Sequence, residues 1–289
     1  MQNAWRSKLL FVYWGHINTK KSNQMANVKK RGRGRPRKID IHQNVKVDVK
    51  LVKMKDVEFD DRLFVPMKTK TIVDSVLSTE GGIFPGTNTV ICGDPGVGKS
   101  TVLLDWVAGI QKQGKRVLFI SGEMNEIDMY GYTKRFPSFA NIPIMFLSDY
   151  SKRPKEAVEQ VIKDGYDVVL IDSWAEVISM VQDQTGMQRK SCDSWLLDLM
   201  DKANKGQNTH NCYTAFVCIQ QMTKAGEFAG SNRIKHMTTA MAFLKFDSSD
   251  RDAERYLVFE KNRRGNVGDK IYFSLTRGGR VDYNFEEID

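Results

Sequence analysis

Residues Gly93-Asp94-Pro95-Gly96-Val97-Gly98-Lys99-Ser100 fit the pattern G-x-x-x-x-G-K-[ST], and they constrain this chain more than any other stretch. The β-branched run Thr89-Val90-Ile91-Cys92 leads in, and a helical pattern, Thr101-Val102-Leu103-Leu104-Asp105-Trp106-Val107, leads out. A glycine loop between a buried strand and a helix suits phosphate. Successive backbone N–H groups converge on phosphate oxygens, and the helix N-terminus adds partial positive charge. Gly93 through Thr101 are the candidate nucleotide-binding residues, with Lys99 expected at the outer phosphates and the Ser100 hydroxyl on magnesium.

Of 289 residues, 41% are hydrophobic, enough for a real core and too many for a chain disordered throughout. That length suits one large domain plus a tail, or two small domains. Cys92, Cys192, Cys212 and Cys218 contain no C-x-x-C pair, so neither a zinc ribbon nor a disulfide scaffold is indicated. They read as reduced thiols in a cytoplasm-like compartment. Leu9-Leu10-Phe11-Val12-Tyr13-Trp14 is too short to span a bilayer, and no membrane partner is expected. Met25 opens a stretch that reads as a more natural start than Met1.

Charge is uneven. Residues 1–24 carry four Lys/Arg and no acid, and residues 25–55 carry eleven Lys/Arg against two acids. With +9 overall, residues 56–289 are left at −4. A basic leader on a mildly acidic body points to a polyanion, nucleic acid first. Within the leader, Lys30-Arg31-Gly32-Arg33-Gly34-Arg35-Pro36-Arg37-Lys38 closely resembles the AT-hook. The resemblance implies that Arg33, Gly34, Arg35, Pro36, Arg37 and Lys38 lie in the minor groove of A·T-rich duplex DNA. Glycine permits close backbone approach, Pro36 fixes an extended path, and a narrow groove favours arginine. A solvated basic linker or an RNA-binding tail would share the composition. From Asp40 to about Val65 apolar and charged residues alternate, which suggests a short edge strand or a protomer-linking segment.

After the phosphate loop, strand-like runs (116–121, 167–172, 215–219) alternate with helical patterns such as 155–163 and 193–205. Such alternation predicts an α/β fold, a mainly parallel sheet covered by helices, with ligands at the carboxyl ends of strands. Candidate active groups sit at those ends. Asp172 follows four apolar residues and is expected to hold magnesium. Glu123, in Ser121-Gly122-Glu123-Met124, is placed to orient a water that attacks the γ-phosphate.

Gly81-Gly82-Ile83-Phe84-Pro85-Gly86, the phosphate loop and Ser121-Gly122-Glu123, in that order, resemble the RadA and DnaB branch of the RecA-like ATPases. Thr223-Lys224-Ala225-Gly226-Glu227-Phe228-Ala229-Gly230 is similar to RadA's Thr-Lys-x-Gly-x-x-Ala-Gly, and His236-Met237 falls where that family has a like pair. Lys261-Asn262-Arg263-Arg264-Gly265 resembles RadA's Lys-Asn-Arg-Phe-Gly box, with Arg264 in place of the aromatic, and fits the Lys-x-Arg-x-Gly finger of DnaB equally.

The resemblance, over roughly residues 70–276, implies a RecA-like ATPase domain at 56–289 behind a largely disordered basic arm at 1–55, with ATP and Mg2+ as cofactors. It makes Glu123 the catalytic base, Gln221 a γ-phosphate sensor, and Lys261 and Arg263 fingers that reach a neighbour's nucleotide. Fingers acting in trans imply a homo-oligomer, by default a hexameric ring. DNA-contacting loops are implied at about Met180–Cys192, with Arg189 and Lys190, and at Lys224–Lys235, with Lys224 and Arg233. Single-stranded DNA is the implied partner. RadA's zinc module and protease-like domain, and DnaB's helical N-terminal domain, have no counterpart in these residues, a compactness expected of a bacteriophage version. The leading expectation is an ATP-driven motor on single strands, a helicase or branch-migration factor in the cytoplasm. The alternative is a KaiC-like regulatory switch that does not translocate.

Overall fold

A computed structural model describes residues 50–222, 228, 230, 232–248 and 254–285. The arm residues Arg33–Lys38 and the DNA-loop residue Lys224 lie outside the described residues. From Val57 onward the described chain clusters as one compact unit. Its nine strands form one sheet: β1 (Asn88–Gly93), β2 (Val117–Ser121), β3 (Ile144–Phe146), β4 (Val168–Asp172), β5 (Ala215–Ile219), β6 (Ala240–Phe246), β7 (Arg255–Asn262), β8 (Lys270–Leu275) and β9 (Val281–Phe285). Their order is β3-β2-β4-β5-β1-β6-β7-β8-β9. All pairings from β3 to β6 are parallel, and the last three are antiparallel.

The parallel strands are continuous apolar runs because both faces are covered. In β4, Val168 and Leu170 join a core formed with α2 (Lys99–Gln111) and α3 (Glu126–Arg135). Val169 and Ile171 face the opposite way, toward α4 (Pro154–Asp164), α5 (Trp174–Thr185) and α6 (Arg189–Asn204). Two short helices complete the set, α1 (Asp74–Leu77) and α7 (Asn232–Met237). Among the described residues no helix is long and apolar enough to cross a membrane.

Two expectations differ from the structure. The loop expected over Met180–Cys192 is largely helical. α5 continues to Thr185, α6 begins at Arg189, and Arg189 and Lys190 occupy the first turn of α6. Val177, Ile178 and Val181 bury one face of α5 almost to its end, and Gly186, at φ 68°, supplies the left-handed residue that stops it. The alternating stretch from Asp40 to Val65, expected as an edge strand or a protomer-linking segment, forms no strand over its described part, 50–65, which contains only the short turns Met54–Asp56 and Asp61–Phe64, while residues 40–49 lie outside the described residues.

Candidate active site

Four strand ends converge at the phosphate loop. β1 ends at Gly93, and α2 begins at Lys99, so the loop lies at the N-terminus of a 13-residue helix. β4 ends at Asp172, which is 2% exposed. The Ser100 hydroxyl donates to Asp172 Oδ2 at 2.5 Å. A hydroxyl and a carboxylate in contact at a helix N-terminus are hard oxygen donors of the kind Mg2+ takes beside phosphate, so the residues fit that ion. Lys99 Nζ donates to the loop's own carbonyls, Gly93 O at 3.0 Å and Asp94 O at 2.9 Å. Gly96 is exposed, and a Cβ there would meet nothing within 4 Å, so the loop is open to its surroundings at this point.

Glu123 is set by its turn. Ser121 Oγ donates to Met124 O at 3.0 Å and accepts from Met124 N at 3.1 Å. Asn125 caps α3 by accepting from Ile127 N and Asp128 N, while Asp128 accepts from Asn125 N. The Glu123 side chain is exposed, and its Oε1 accepts from Gln221 Nε2, just past β5, at 3.5 Å. Lys99, Ser100, Asp172, Glu123 and Gln221 are thus gathered from the ends of β1, β2, β4 and β5.

Burial pushes the Asp172 carboxyl up to about 6; the Glu123 charge adds to this, and the Ser100 hydrogen bond and Lys99 oppose it. Burial also lowers the Lys99 ammonium, against the pull of Asp172 and Glu123. A carboxyl raised above its unfolded value of 3.8 binds more protons folded than unfolded between pH 4 and 6. Without nucleotide, stability is therefore expected to fall as pH rises through that window, by no more than about 3 kcal/mol. Thermal unfolding from pH 4 to 7 checks this, and Asp172→Asn should flatten the profile.

Lys261 and Arg263 do not turn toward the phosphate loop of their own subunit. Lys261 Nζ donates to Lys235 O and Thr238 O, and Arg263 Nη2 donates to His236 O. Arg264 places its guanidinium 4.8 Å from the Phe84 ring centroid. Arg233 is engaged with the Ser194 hydroxyl and with Asp198, across from α6.

Sequence reasoning missed the last hairpin. Leu275, at the end of β8, packs on the phosphate loop, where a Cβ on Gly98 would come within 2.8 Å of its Cδ1. Arg135 donates weakly to Leu275 O and Thr276 O at 3.4 and 3.5 Å. Thr101, Ile127, Tyr132, Arg135 and Phe136 help to line a cavity of about 410 Å³ on this side of the loop. No local pattern marks these residues, because the contact joins segments 140 positions apart.

The model of the RecA N-terminal domain matches residues 41–278. The chain belongs to the RecA family. This RecA-family chain is similar to the DNA repair protein RadA of Campylobacter jejuni, 29% identical over 201 residues that cover 70% of this chain and 43% of that one. To RadA of Listeria monocytogenes it is 31% identical over 206 residues, 70% of this chain and 42% of that one. It therefore spans less than half the length of these relatives. Its fold is that of a KaiC-like protein from Pyrococcus horikoshii, with a TM-score of 0.54 at 16% identity, over 76% of this chain and 98% of that chain. The flagellar accessory protein FlaH of Methanocaldococcus jannaschii gives 0.52 at 12% identity, over 71% and 92%.

Proposed function

We propose that this RecA-family chain hydrolyses ATP as a motor on single-stranded DNA, in helicase or branch-migration work, from a site shared between subunits. The observation that carries the hydrolysis is the gathering of Ser100, Asp172, Glu123 and Gln221 around the phosphate loop. In this reading the loop amides and Lys99 hold the phosphates, and Ser100 and Asp172 hold magnesium. The ion, when bound, neutralises charge on the outer phosphates. Glu123 orients the attacking water and accepts its proton, and Gln221 keeps Glu123 in place until a γ-phosphate engages it. The cavity beside Tyr132 and Arg135 takes the nucleoside.

Lys261 and Arg263 reach the nucleotide of an adjacent subunit, stabilising charge in the transition state. Exposed apolar residues before the core, including Phe59, Phe64 and Val65, support assembly, and a hexameric ring is the proposed form. Lys224, Arg233, Arg189 and Lys190 are proposed strand contacts, and Arg33–Lys38 a tether to A·T-rich duplex. The domain division is a basic arm at 1–55 and an ATPase domain at 56–289.

Hydrolysis by the full chain should rise severalfold with single-stranded DNA, and little with A·T-rich duplex, which the arm binds. Hydrolysis indifferent to single strands would sink the motor. A KaiC-like switch without translocation would then stand, a reading favoured by the three-residue connection between α5 and α6 and by the engagement of Arg233. The shared site has its own test. Mixing Arg263→Ala subunits with Glu123→Gln subunits should restore part of the activity that each lacks alone, because some interfaces then hold an intact finger and an intact base. An inactive mixture would count against fingers in trans.

A further inference from the structure

Six residues make α7 too short to be stable by itself, and its last carbonyls have no helical N–H to accept from. Thr238 supplies two donors, its N–H to Ile234 O at 3.1 Å and its hydroxyl to Lys235 O at 3.2 Å, and the finger residues supply the charged ones. Lys261 Nζ lies 2.5 Å from Lys235 O and 2.6 Å from Thr238 O, and Arg263 Nη2 lies 3.2 Å from His236 O. Positive charge at a helix C-terminus also suits the helix dipole. The backbone joins in, with Arg263 N donating to Thr239 O at 3.1 Å.

The turn that carries the fingers is fixed at its base. Asn262 Nδ2 donates to Val76 O at 2.9 Å and Leu77 O at 3.2 Å, and its Oδ1 accepts from Arg264 N and Gly265 N at 3.0 Å each. Thr79 N donates to Arg264 O at 2.8 Å. With the backbone held at so many points, the Lys261 and Arg263 side chains are what can change partners. Both are cations on long flexible stems, and a phosphate is a stronger acceptor than a peptide carbonyl.

We propose that Lys261 and Arg263 cap the C-terminus of α7 in the isolated subunit and leave it when they engage a neighbour's nucleotide. The inference rests on the reading of these residues as fingers in trans. Its consequence is that ATP bound at one subunit loosens α7 in the next. α7 carries Arg233, a proposed strand contact, so nucleotide occupancy and grip on DNA become linked across the interface. Linkage is reciprocal: a strand that binds better once α7 is loosened would hold the fingers on the neighbour's ATP, in line with the stimulation expected of single-stranded DNA.

Hydrogen exchange of the full-length protein, read by mass spectrometry over peptides spanning 232–238, tests both halves. Without nucleotide, Lys261→Met should speed exchange in α7 about tenfold, the loss expected for charge-assisted hydrogen bonds. Lys261→Arg should keep most of the protection. In the wild type, magnesium with a non-hydrolysable ATP analogue should speed exchange at α7 while amides of β6 stay unchanged. Unaltered α7 exchange in Lys261→Met overturns the cap. Unaltered wild-type exchange on adding the analogue overturns the release. Subunit mixing then separates the two ideas: restored activity discards only the coupling, and an inactive mixture discards the fingers as well.

Discussion

Glu123→Gln is expected to lower the rate of ATP hydrolysis about 100- to 10,000-fold while leaving nucleotide affinity within about twofold, the range for loss of a positioned general base. Glutamine keeps the size and hydrogen-bonding reach of the side chain but cannot take up a proton at neutral pH. Glu123 is exposed at the end of β2, in a turn pinned by Ser121 and the Asn125 cap, so the substitution has no core to disturb. Its one described side-chain partner is Gln221, at 3.5 Å. Steady-state turnover and equilibrium binding of a fluorescent ATP analogue, measured on the same preparation, separate chemistry from binding. Turnover within a few fold of wild type would remove Glu123 as the base. Weak binding with lost turnover would assign it to holding nucleotide instead.

Gly109→Ala is the largest expected effect on stability. Gly109 lies inside α2 against the segment that precedes α1, and an added Cβ would come 1.8 Å from Thr69 O and 2.8 Å from Thr69 C. Both atoms are backbone, so no side chain can swing away. Alanine is the better helix former by about 1 kcal/mol, but overpacking against backbone costs about 3 kcal/mol or more. The clash wins. A net loss of about 2 kcal/mol or more corresponds to a Tm lower by about 4–8 °C in a domain of this size. Gly131→Ala is the control, since Gly131 lies in α3 with nothing within 4 Å of an added Cβ. There the helix preference acts alone, and about 1 kcal/mol of stabilisation is expected. Thermal unfolding of the two variants beside the wild type decides it. Equal and opposite small shifts would mean that α2 and residue 69 separate at little cost.

Legibility from sequence was high where chemistry is local. The glycine loop, its strand and its helix are consecutive in the chain, so nine adjacent residues and their flanks made this element recognisable. Asp172 was legible for a related reason. A strand covered on both faces is apolar throughout, and a carboxylate at its carboxyl end marks the end of the run. The runs at 116–121, 167–172 and 215–219 announced the parallel sheet, in which the strands span Val117–Ser121, Val168–Asp172 and Ala215–Ile219. Polar segments were not legible in the same way. The stretch from Met180 to Cys192 holds three glutamines and a glycine, yet the buried stripe of α5 carries the helix to Thr185, because packing overrides weak local preference.

Sequence by itself therefore determined the fold class, the phosphate loop and the chain positions of the acidic and basic groups, since each depends on neighbours within a few residues. Tertiary structure decided which of those groups meet. It brought Gln221 to Glu123 across 98 positions and seated Leu275 on Gly98. It also turned Lys261 and Arg263 onto the end of α7. Contacts of that separation are set by the order β3-β2-β4-β5-β1-β6-β7-β8-β9 and by which sheet face each helix covers. A sheet order is a property of the packed whole, fixed by burying two continuous apolar faces at once, and no single segment encodes it.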